Sequence, residues 1–119
     1  MKIRRVVPNL KARHMPESRS FYEDVIGLEL GMDMGWILSF ASRDNPTAQI
    51  NIITKDATGP AHPDVSIEVD DLDAVHERAV ASGAEIVYPP TIEPWEVRRF
   101  FVRDPNGAVI NVLTHVPKG

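Results

Sequence analysis

The sequence contains no cysteine among its 119 residues. This absence excludes disulfide bonds, thiolate zinc sites and cysteine nucleophiles, so any metal ion would depend on histidine, carboxylate or amide ligands. The sequence also lacks the run of about 18 apolar residues that a membrane span requires, and residues 1–8 (MKIRRVVP) lack the apolar core of a secretory signal. These absences predict a cytoplasmic protein with no membrane partner.

A strong excess of either charge is also absent. Thirteen Lys and Arg residues against seventeen Asp and Glu residues give a net charge of -4, and the basic residues are scattered along the chain. Because nucleic acid recruits clustered basic side chains, we predict no nucleic-acid partner and expect a neutral or cationic small-molecule ligand. The apolar share of 43% and the short chain predict one folded domain over residues 1–119.

An internal repeat is the most informative feature of the sequence. Residues 48–54 (AQINIIT) and 108–114 (AVINVLT) are identical at four of seven positions, and residues 27–30 (GLEL) and 83–86 (GAEI) form a second match in the same order. Two ordered matches predict a duplicated unit of about 55 to 60 residues. We place unit one at about 1–58, a linker rich in proline and glycine at 59–63, and unit two at about 64–116.

Each unit reads as β-α-β-β-β, which predicts an α+β fold. Unit two has an alternating strand at 65–69 and a helix that ends at Gly83. A short strand at 85–88, a proline-rich connection and two strands around the DPNG turn at 104–107 follow. Its apolar helix stripe is predicted to contain Leu72, Val75, Ala79 and Val80, and the connection contains Pro89, Pro90 and Pro94.

Unit one repeats this order. Its first strand is predicted near residues 3–8, its helix begins after Pro16 and ends at Gly27, and three strands follow, the first passing through Leu30 and the others covering 36–41 and 49–54. Phe21, Val25 and Ile26 are predicted to be the inward-facing residues of this helix.

Three segments resemble the vicinal oxygen chelate superfamily, which includes glyoxalase I, bleomycin resistance proteins and extradiol dioxygenases. They are residues 20–28 (SFYEDVIGL), 69–74 (VDDLDA) and 99–107 (RFFVRDPNG). Residues 94–100 (PWEVRRF) resemble a Pro-Trp-Gly segment of bleomycin-resistance-like members, with Glu96 at the usual glycine position. The resemblance implies two tandem units in a curved mixed sheet with an open concave face, in chains that pair as homodimers and bind small molecules on that face.

The resemblance also implies four positions for metal ligands. Glyoxalase-type members hold a divalent ion with His, Glu or Gln side chains, and these positions fall on Val7, Asn51, Asp64 and Asn111 in this sequence. Amide oxygens are weak ligands for zinc, nickel or iron, so we predict no metal and no cofactor. The alternative is a divalent metal site that His62 completes by turning inward.

The candidate ligand-binding residues are those that strand alternation or aromatic character places on the concave face. They are Trp36, Gln49, Asn51, Asp64, Glu68, Trp95 and Asn111. Asn51 and Asn111 suit either recognition of a polar ligand or internal pairing of amides, and both interpretations stay open. The two tryptophans offer flat surfaces to an aromatic or cationic ligand, while Glu68, Glu93 and Glu96 would add negative potential at the rim.

Two functions follow from these residues. The first is metal-independent binding of a small aromatic or cationic molecule in a concave cavity of a dimer. The alternative is a metal-dependent glyoxalase-like lyase or isomerase, or an extradiol dioxygenase, in which Glu68 would move a proton. The asparagine at position 111 favours the binding protein, and the sequence leaves open whether the protein is an enzyme.

Overall fold

The computed structural model describes residues 2–116, which form one eight-stranded mixed sheet and two helical regions. The strands are β1 (Ile3–Lys11), β2 (Glu29–Asp33), β3 (Ile37–Ala41), β4 (Gln49–Ile53), β5 (Val65–Val69), β6 (Ile86–Glu93), β7 (Val97–Arg103) and β8 (Val109–His115). The helices are α1 (Met15–Ser20), which continues into a π-helical segment (Phe21–Ile26), and α2 (Leu72–Ala81). None of the helices within residues 2–116 is long and apolar enough to cross a membrane.

The sheet repeats one pairing pattern in its two halves. The strand order is β2-β3-β4-β1-β5-β8-β7-β6. The last strand of each half pairs in parallel with the first, and the remaining pairs within each half are antiparallel. The halves join where β1 and β5 pair antiparallel. This arrangement confirms the predicted α+β fold of two tandem β-α-β-β-β units.

The repeated asparagines occupy equivalent positions in the two halves. Asn51 on β4 lies opposite Asn9 on β1, and Asn111 on β8 lies opposite Ser66 on β5. Because side chains alternate between the two faces of a strand, each of these pairs lies on one face of the sheet. The duplication therefore brings four small polar side chains to the middle of the molecule.

Both helical regions end at a glycine with a left-handed backbone. Gly27 has φ 91° and Gly83 has φ 80°, a conformation that glycine adopts without a side-chain clash. The backbone N–H of Leu28 then donates to Tyr22 O at 2.9 Å, and that of Ala84 donates to Ala79 O at 3.1 Å. These matching helix ends account for the second sequence repeat, at 27–30 and 83–86.

Each half of the sheet has its own apolar cluster beneath its helix. The first cluster contains Ala12, Leu38, Phe40 and Ile52, and the second contains Val69, Leu72, Phe100 and Val112. Tyr22 and Leu28 pack on the first cluster, while Val75 and Ala79 of α2 pack on the second. The face of the sheet opposite the helices remains available for a ligand.

The apolar faces of both helical regions differ from the prediction. The residues predicted to face inward in unit one are exposed: Phe21 by 46%, Val25 by 69% and Ile26 by 55%. The π-helical segment lengthens the helical repeat, so residues spaced for an α-helix turn away and Tyr22 packs against Phe40 instead. Val80 is also exposed, because it lies about 100° further round α2 than Ala79.

Two strands extend further than predicted, and both contain proline. Strand β1 continues beyond Pro8 to Lys11, and β6 runs through Pro89 and Pro90, which were predicted to lie in a connection. Strand β6 is the edge of the sheet, where a residue without an N–H group is tolerated. The register of β6 against β7 shifts between Tyr88 and Thr91, at the two prolines.

Candidate functional site

A cavity of about 340 Å³ lies on the face of the sheet opposite the helices, and strands of both halves contribute to its wall. Strand alternation explains which side chains reach it. On β1, Arg5, Val7 and Asn9 line the cavity, whereas Val6 and Leu10, at the alternate positions, are exposed on the other face by 54% and 43%. The cavity is therefore formed by both units of a single chain.

A row of hydrogen-bonded polar side chains crosses the middle of the cavity. This amide ladder consists of Ser39, Asn51, Asn9, Ser66 and Asn111, one from each of five neighbouring strands. Ser39 Oγ donates to Asn51 Oδ1 at 2.7 Å, and Asn51 Nδ2 donates to Asn9 Oδ1 at 2.8 Å. Ser66 Oγ accepts from Asn9 Nδ2 at 2.8 Å and from Asn111 Nδ2 at 3.0 Å. The two repeated asparagines thus pair internally, and within residues 2–116 Asn111 Oδ1 has no partner.

A charged group lies at one side of the ladder. This Glu68 cluster consists of Arg5, Gln49, Glu68 and His115. Arg5 Nε donates to Glu68 Oε1 at 2.5 Å and Arg5 Nη1 to Gln49 Oε1 at 2.5 Å, while His115 Nδ1 lies 2.9 Å from Glu68 Oε2. Burial raises the pKa of Glu68, but its hydrogen bonds with His115 and Arg5 outweigh burial and hold that pKa below its ordinary value. Glu68 is therefore ionised at neutral pH.

A second charged group is almost fully buried. This Arg99 cluster consists of Asp56, Thr58, Glu93 and Arg99. Arg99 donates to both oxygens of Asp56 at 2.9 and 2.6 Å and to Glu93 at 2.6 Å, and the hydroxyl of Thr58 donates to Glu93. The side chains of Asp56, Glu93 and Arg99 are only 2–3% exposed. Glu93, predicted at an exposed rim, is thus buried against Arg99.

Charge pairing sets the ionisation of this cluster. Burial raises the pKa of Asp56, but its hydrogen bonds with Arg99 and with the backbone N–H of Gly59 leave that pKa below its ordinary value. Burial lowers the pKa of Arg99, but Asp56 and Glu93 leave it raised. The cluster contains two carboxylates and one guanidinium, so it adds net negative charge beside the cavity.

The two tryptophans of the chain meet in the cavity. The ring centroids of Trp36 and Trp95 are 5.4 Å apart, and the guanidinium of Arg99 lies 5.1 Å from the Trp95 ring. Both indoles line the cavity wall and both are partly exposed. Phe40 and Phe101, by contrast, are 1% and 0% exposed and belong to the core. The aromatic surface open to a ligand is therefore that of the tryptophans.

The cavity brings together all but one of the residues predicted to bind a ligand. Trp36, Gln49, Asn51, Glu68, Trp95 and Asn111 line it. Asp64 is exposed outside the cavity wall, where its carboxylate accepts a hydrogen bond from the backbone N–H of Val109 at 2.8 Å. The prediction that Asp64 lies on the cavity wall is therefore corrected. Its carboxylate binds the backbone at the first residue of β8, where the parallel β5–β8 pair begins.

Arg99 and Asp56 line the cavity although they are not among the residues predicted to bind a ligand. The alternation of β7, in which Val97 and Arg99 point into the cavity, was the available signal for Arg99. Asp56 carried no such signal, because it lies in a loop and meets Arg99 across 43 residues of sequence. Only the folded chain places these two side chains together.

The side chains at the four implied metal positions do not fit a divalent ion. Val7 is apolar, Asn51 and Asn111 pair within the amide ladder, and Asp64 lies outside the cavity wall. His62 does not complete the set, because its Nε2 atom lies 2.8 Å from the backbone oxygen of Asn9. Within residues 2–116, no group of three or more His, Asp or Glu side chains could hold a metal ion.

Comparisons with known proteins agree on one fold. A family model described as Glyoxalase/Bleomycin resistance protein/Dioxygenase superfamily matches residues 5–112. A search of curated proteins found no match.

Several solved structures share the architecture. A glyoxalase/bleomycin resistance protein/dioxygenase superfamily member from Vibrio splendidus 12B01 has 18% identity and a TM-score of 0.68, covering 95% of this chain and 99% of its own. Methylmalonyl-CoA epimerase from Mycobacterium tuberculosis has 20% identity and a TM-score of 0.68, and the match covers 97% of this chain and 88% of the epimerase. A Mn(II)-bound glyoxalase from Novosphingobium aromaticivorans has 21% identity and a TM-score of 0.67, and the match covers 99% of this chain and 40% of the glyoxalase. At these identities the likeness concerns the fold alone.

Proposed function

The chain belongs to the glyoxalase/bleomycin resistance protein/dioxygenase superfamily, and within it we propose a metal-independent protein that binds a small aromatic or cationic molecule in its cavity. The observation that carries this proposal is the make-up of the cavity wall. Two indoles face a space of about 340 Å³, a volume within the usual range for small-molecule sites. Amides, not metal-ligating side chains, occupy its centre.

The charges around the cavity support a cationic ligand. Among the arginines and carboxylates, Arg5, Arg99, Asp56 and Glu68 line the cavity and balance in charge, and Glu93, buried against Arg99, adds one negative charge. The surplus of one negative charge, in a concave site of reduced dielectric, attracts cations more strongly than the same charge on an open surface. Trp36 and Trp95 add the aromatic faces on which an aromatic ring or a cationic group packs favourably.

The metal-dependent lyase, isomerase or dioxygenase has less support. Such an enzyme needs a set of side chains that holds the ion, and the four implied positions offer an apolar residue, two paired amides and an exposed carboxylate. Its proton-transfer residue would be Glu68, whose lowered pKa makes it a weak base at neutral pH. Binding without a metal is consistent with both observations.

We also propose that the chain pairs as a homodimer in the cytoplasm. Ile3, Val6 and Leu10 expose apolar side chains by 54%, 54% and 43%, and burial against a second copy would remove this surface from water. The chain has no cysteine that depends on an oxidising compartment. Light scattering should give twice the chain mass, and a mass of one chain at every concentration would contradict the pairing.

The experiment that tests the proposed function uses the tryptophans as reporters. Trp36 and Trp95 are the only tryptophans in the chain, so intrinsic tryptophan fluorescence reports on the cavity wall. Titration with benzyltrimethylammonium, an aromatic cation, should give a saturable change, whereas tetramethylammonium, which lacks the ring, should bind more weakly. No saturable response to benzyltrimethylammonium or to the neutral benzyl alcohol would contradict the proposal.

Calorimetry with variants then locates the binding site. Trp95→Leu should weaken benzyltrimethylammonium binding about two- to thirty-fold, the range expected for a lost cation–aromatic contact. Phe21→Leu is the matched control, since it removes an exposed aromatic ring from the helix-bearing side of the chain. Equal effects of the two substitutions would place the ligand outside the cavity.

A further inference from the structure

We propose that His115, oriented by Glu68, is a general-base site for an aromatic ligand that carries a weakly acidic C–H bond. The inference rests on the proposed function, because it requires the cavity to bind an aromatic group. It goes beyond binding, since a base beside a bound ligand removes a proton from it. Both His115 and Glu68 line the same cavity as Trp36 and Trp95.

The hydrogen bond to Glu68 determines which nitrogen of His115 can act as the base. A carboxylate only accepts hydrogen bonds, so the Nδ1 atom, 2.9 Å from Glu68 Oε2, carries the ring proton. In the neutral imidazole the lone pair then lies on Nε2. Within residues 2–116 Nε2 makes no hydrogen bond, and the His115 side chain is 55% exposed. The basic nitrogen is therefore open to a ligand.

Glu68 is itself held in place on its other oxygen. Arg5 Nε donates to Glu68 Oε1, and Arg5 is fixed in turn by Gln49, so the carboxylate has little freedom to rotate. The side chain of Glu68 is only 13% exposed. A half-buried, ionised carboxylate that accepts a hydrogen bond from Nδ1–H orients the ring and stabilises the imidazolium that forms when Nε2 takes a proton. In this arrangement Glu68 is a positioning residue, and His115 is the catalytic residue.

Charged residues lie near His115 on the elements to both sides of β8. Glu68 on β5 contacts the ring directly, and Arg5 on β1 acts through Glu68. On β7 the residue opposite His115 is the apolar Val97, and the adjoining turn contributes Glu96, whose backbone oxygen accepts from Val116 N at 2.9 Å. Within residues 2–116, Glu68 is the charged side chain that contacts the ring directly, and it does so at Nδ1.

A model substrate tests this base without knowledge of the natural ligand. 5-Nitrobenzisoxazole is a planar aromatic compound whose C3–H proton is removed by a general base in one step. The proton goes to Nε2, the C–H electron pair forms the third bond of the nitrile, and the N–O bond breaks with its electron pair on oxygen. The product is a coloured cyanophenolate, and the imidazolium returns its proton to water.

The wild-type protein should catalyse this elimination with saturation kinetics. His115→Gln should lower kcat at least about ten-fold with a smaller change in KM, because proton transfer is lost and the aromatic wall remains. Added imidazole should restore part of the rate in His115→Ala. Glu68→Gln should also lower kcat, and Glu68→Asp should retain more of the rate than Glu68→Gln. His14→Gln is the matched control, since His14 is an exposed histidine that does not line the cavity.

The outcomes separate this inference from the proposed function. Fluorescence titration of the same samples measures binding of 5-nitrobenzisoxazole independently of its elimination. Saturable binding with no elimination above the His115→Gln rate would overturn the general-base inference and leave the binding function intact. An equal loss of rate in the His14→Gln control would also overturn the inference. Absence of both binding and elimination in a protein that still binds benzyltrimethylammonium would overturn the general-base inference alone, and the same absence in a protein that binds neither benzyltrimethylammonium nor benzyl alcohol would overturn both proposals.

Discussion

At the scale of single residues, Arg99 allows two carboxylates to be buried beside the cavity. An ionised carboxylate removed from water loses several kcal/mol of solvation unless a cation and hydrogen bonds replace the water. Arg99 provides both, because it forms two hydrogen bonds to Asp56 and one to Glu93. It also joins the loop after β4 to strands β6 and β7, so loss of Arg99 would affect both halves of the chain.

Arg99→Met should therefore destabilise the protein by about 3–5 kcal/mol, because Asp56 and Glu93 remain buried without their cation. Arg98→Met is the matched control on the neighbouring residue. Arg98 pairs with Asp73 at the surface, where the side chains are 31% and 69% exposed, so its loss should cost less than about 1 kcal/mol. Urea unfolding measures both changes, and equal losses would contradict this account of Arg99.

Acid should destabilise the protein through Asp56 and Glu68. The folded-state pKa values of both carboxyls lie below their ordinary values of 3.8 and 4.5, so in acid the unfolded chain binds more protons than the folded chain. Their stabilisation is complete above about pH 5 and is lost as the pH falls through the lowered pKa values. Glu68→Gln cannot ionise, so it should lose less stability than the wild type between about pH 5 and pH 3. Identical losses in urea unfolding would show that Glu68 does not contribute.

At the scale of the elements, local signals located the strands and helices better than they predicted the faces of the helices. Gly27 and Gly83 marked both helix ends correctly, because a left-handed backbone is a local property. The inward face of the helix in unit one could not be predicted, since the π-helical segment from Phe21 to Ile26 depends on packing against the sheet. Pro89 and Pro90 lie within β6 because that strand is at an edge, and strand order is a property of the whole fold.

The turn between β6 and β7 is strained at Glu96. Its φ of 65° lies in the left-handed region, at the position where the resemblance expects glycine. Glu96→Gly and Glu96→Ala remove the same side-chain contacts, and the glycine variant should be more stable by about 1 kcal/mol because it has no β-carbon to clash.

The same pair of substitutions at Glu77 is the control. Glu77 is an exposed residue inside α2, where alanine should be more stable than glycine by about 1 kcal/mol. Thermal or urea unfolding of the four variants measures both differences. The same order of stability at the two positions would contradict a strained backbone at Glu96.

At the scale of the whole molecule, the duplication predicted more of the site than any single motif. The repeated segments indicated that Asn51 and Asn111 would occupy equivalent strand positions, and alternation then placed Gln49 and Glu68 on the same face. The partners of these residues could not be predicted. Glu68 meets Arg5 across 63 residues of sequence, and such contacts depend on how β1 and β5 pair at the centre of the sheet.

The duplication also explains why amide side chains occupy the centre of the cavity. The equivalent positions of the two units contain asparagines whose amides pair across the strands, so the centre of the cavity is neutral and its hydrogen bonds are largely internal. The ionised groups lie at its sides, in the Glu68 and Arg99 clusters. The Arg99 cluster carries one surplus negative charge, and Arg5 balances Glu68 in the other cluster. A neutral centre with these ionised flanks and an aromatic wall is the arrangement on which the proposed metal-independent binding rests.

The most direct test of that claim is the affinity for benzyltrimethylammonium with and without metal. Calorimetry on protein stripped by chelator and dialysis is compared with calorimetry after addition of Mn, Ni or Zn ions. The account predicts saturable binding by the stripped protein and an unchanged dissociation constant with each metal. Binding that appears only after a metal is added, together with one retained ion per chain in elemental analysis, would contradict it.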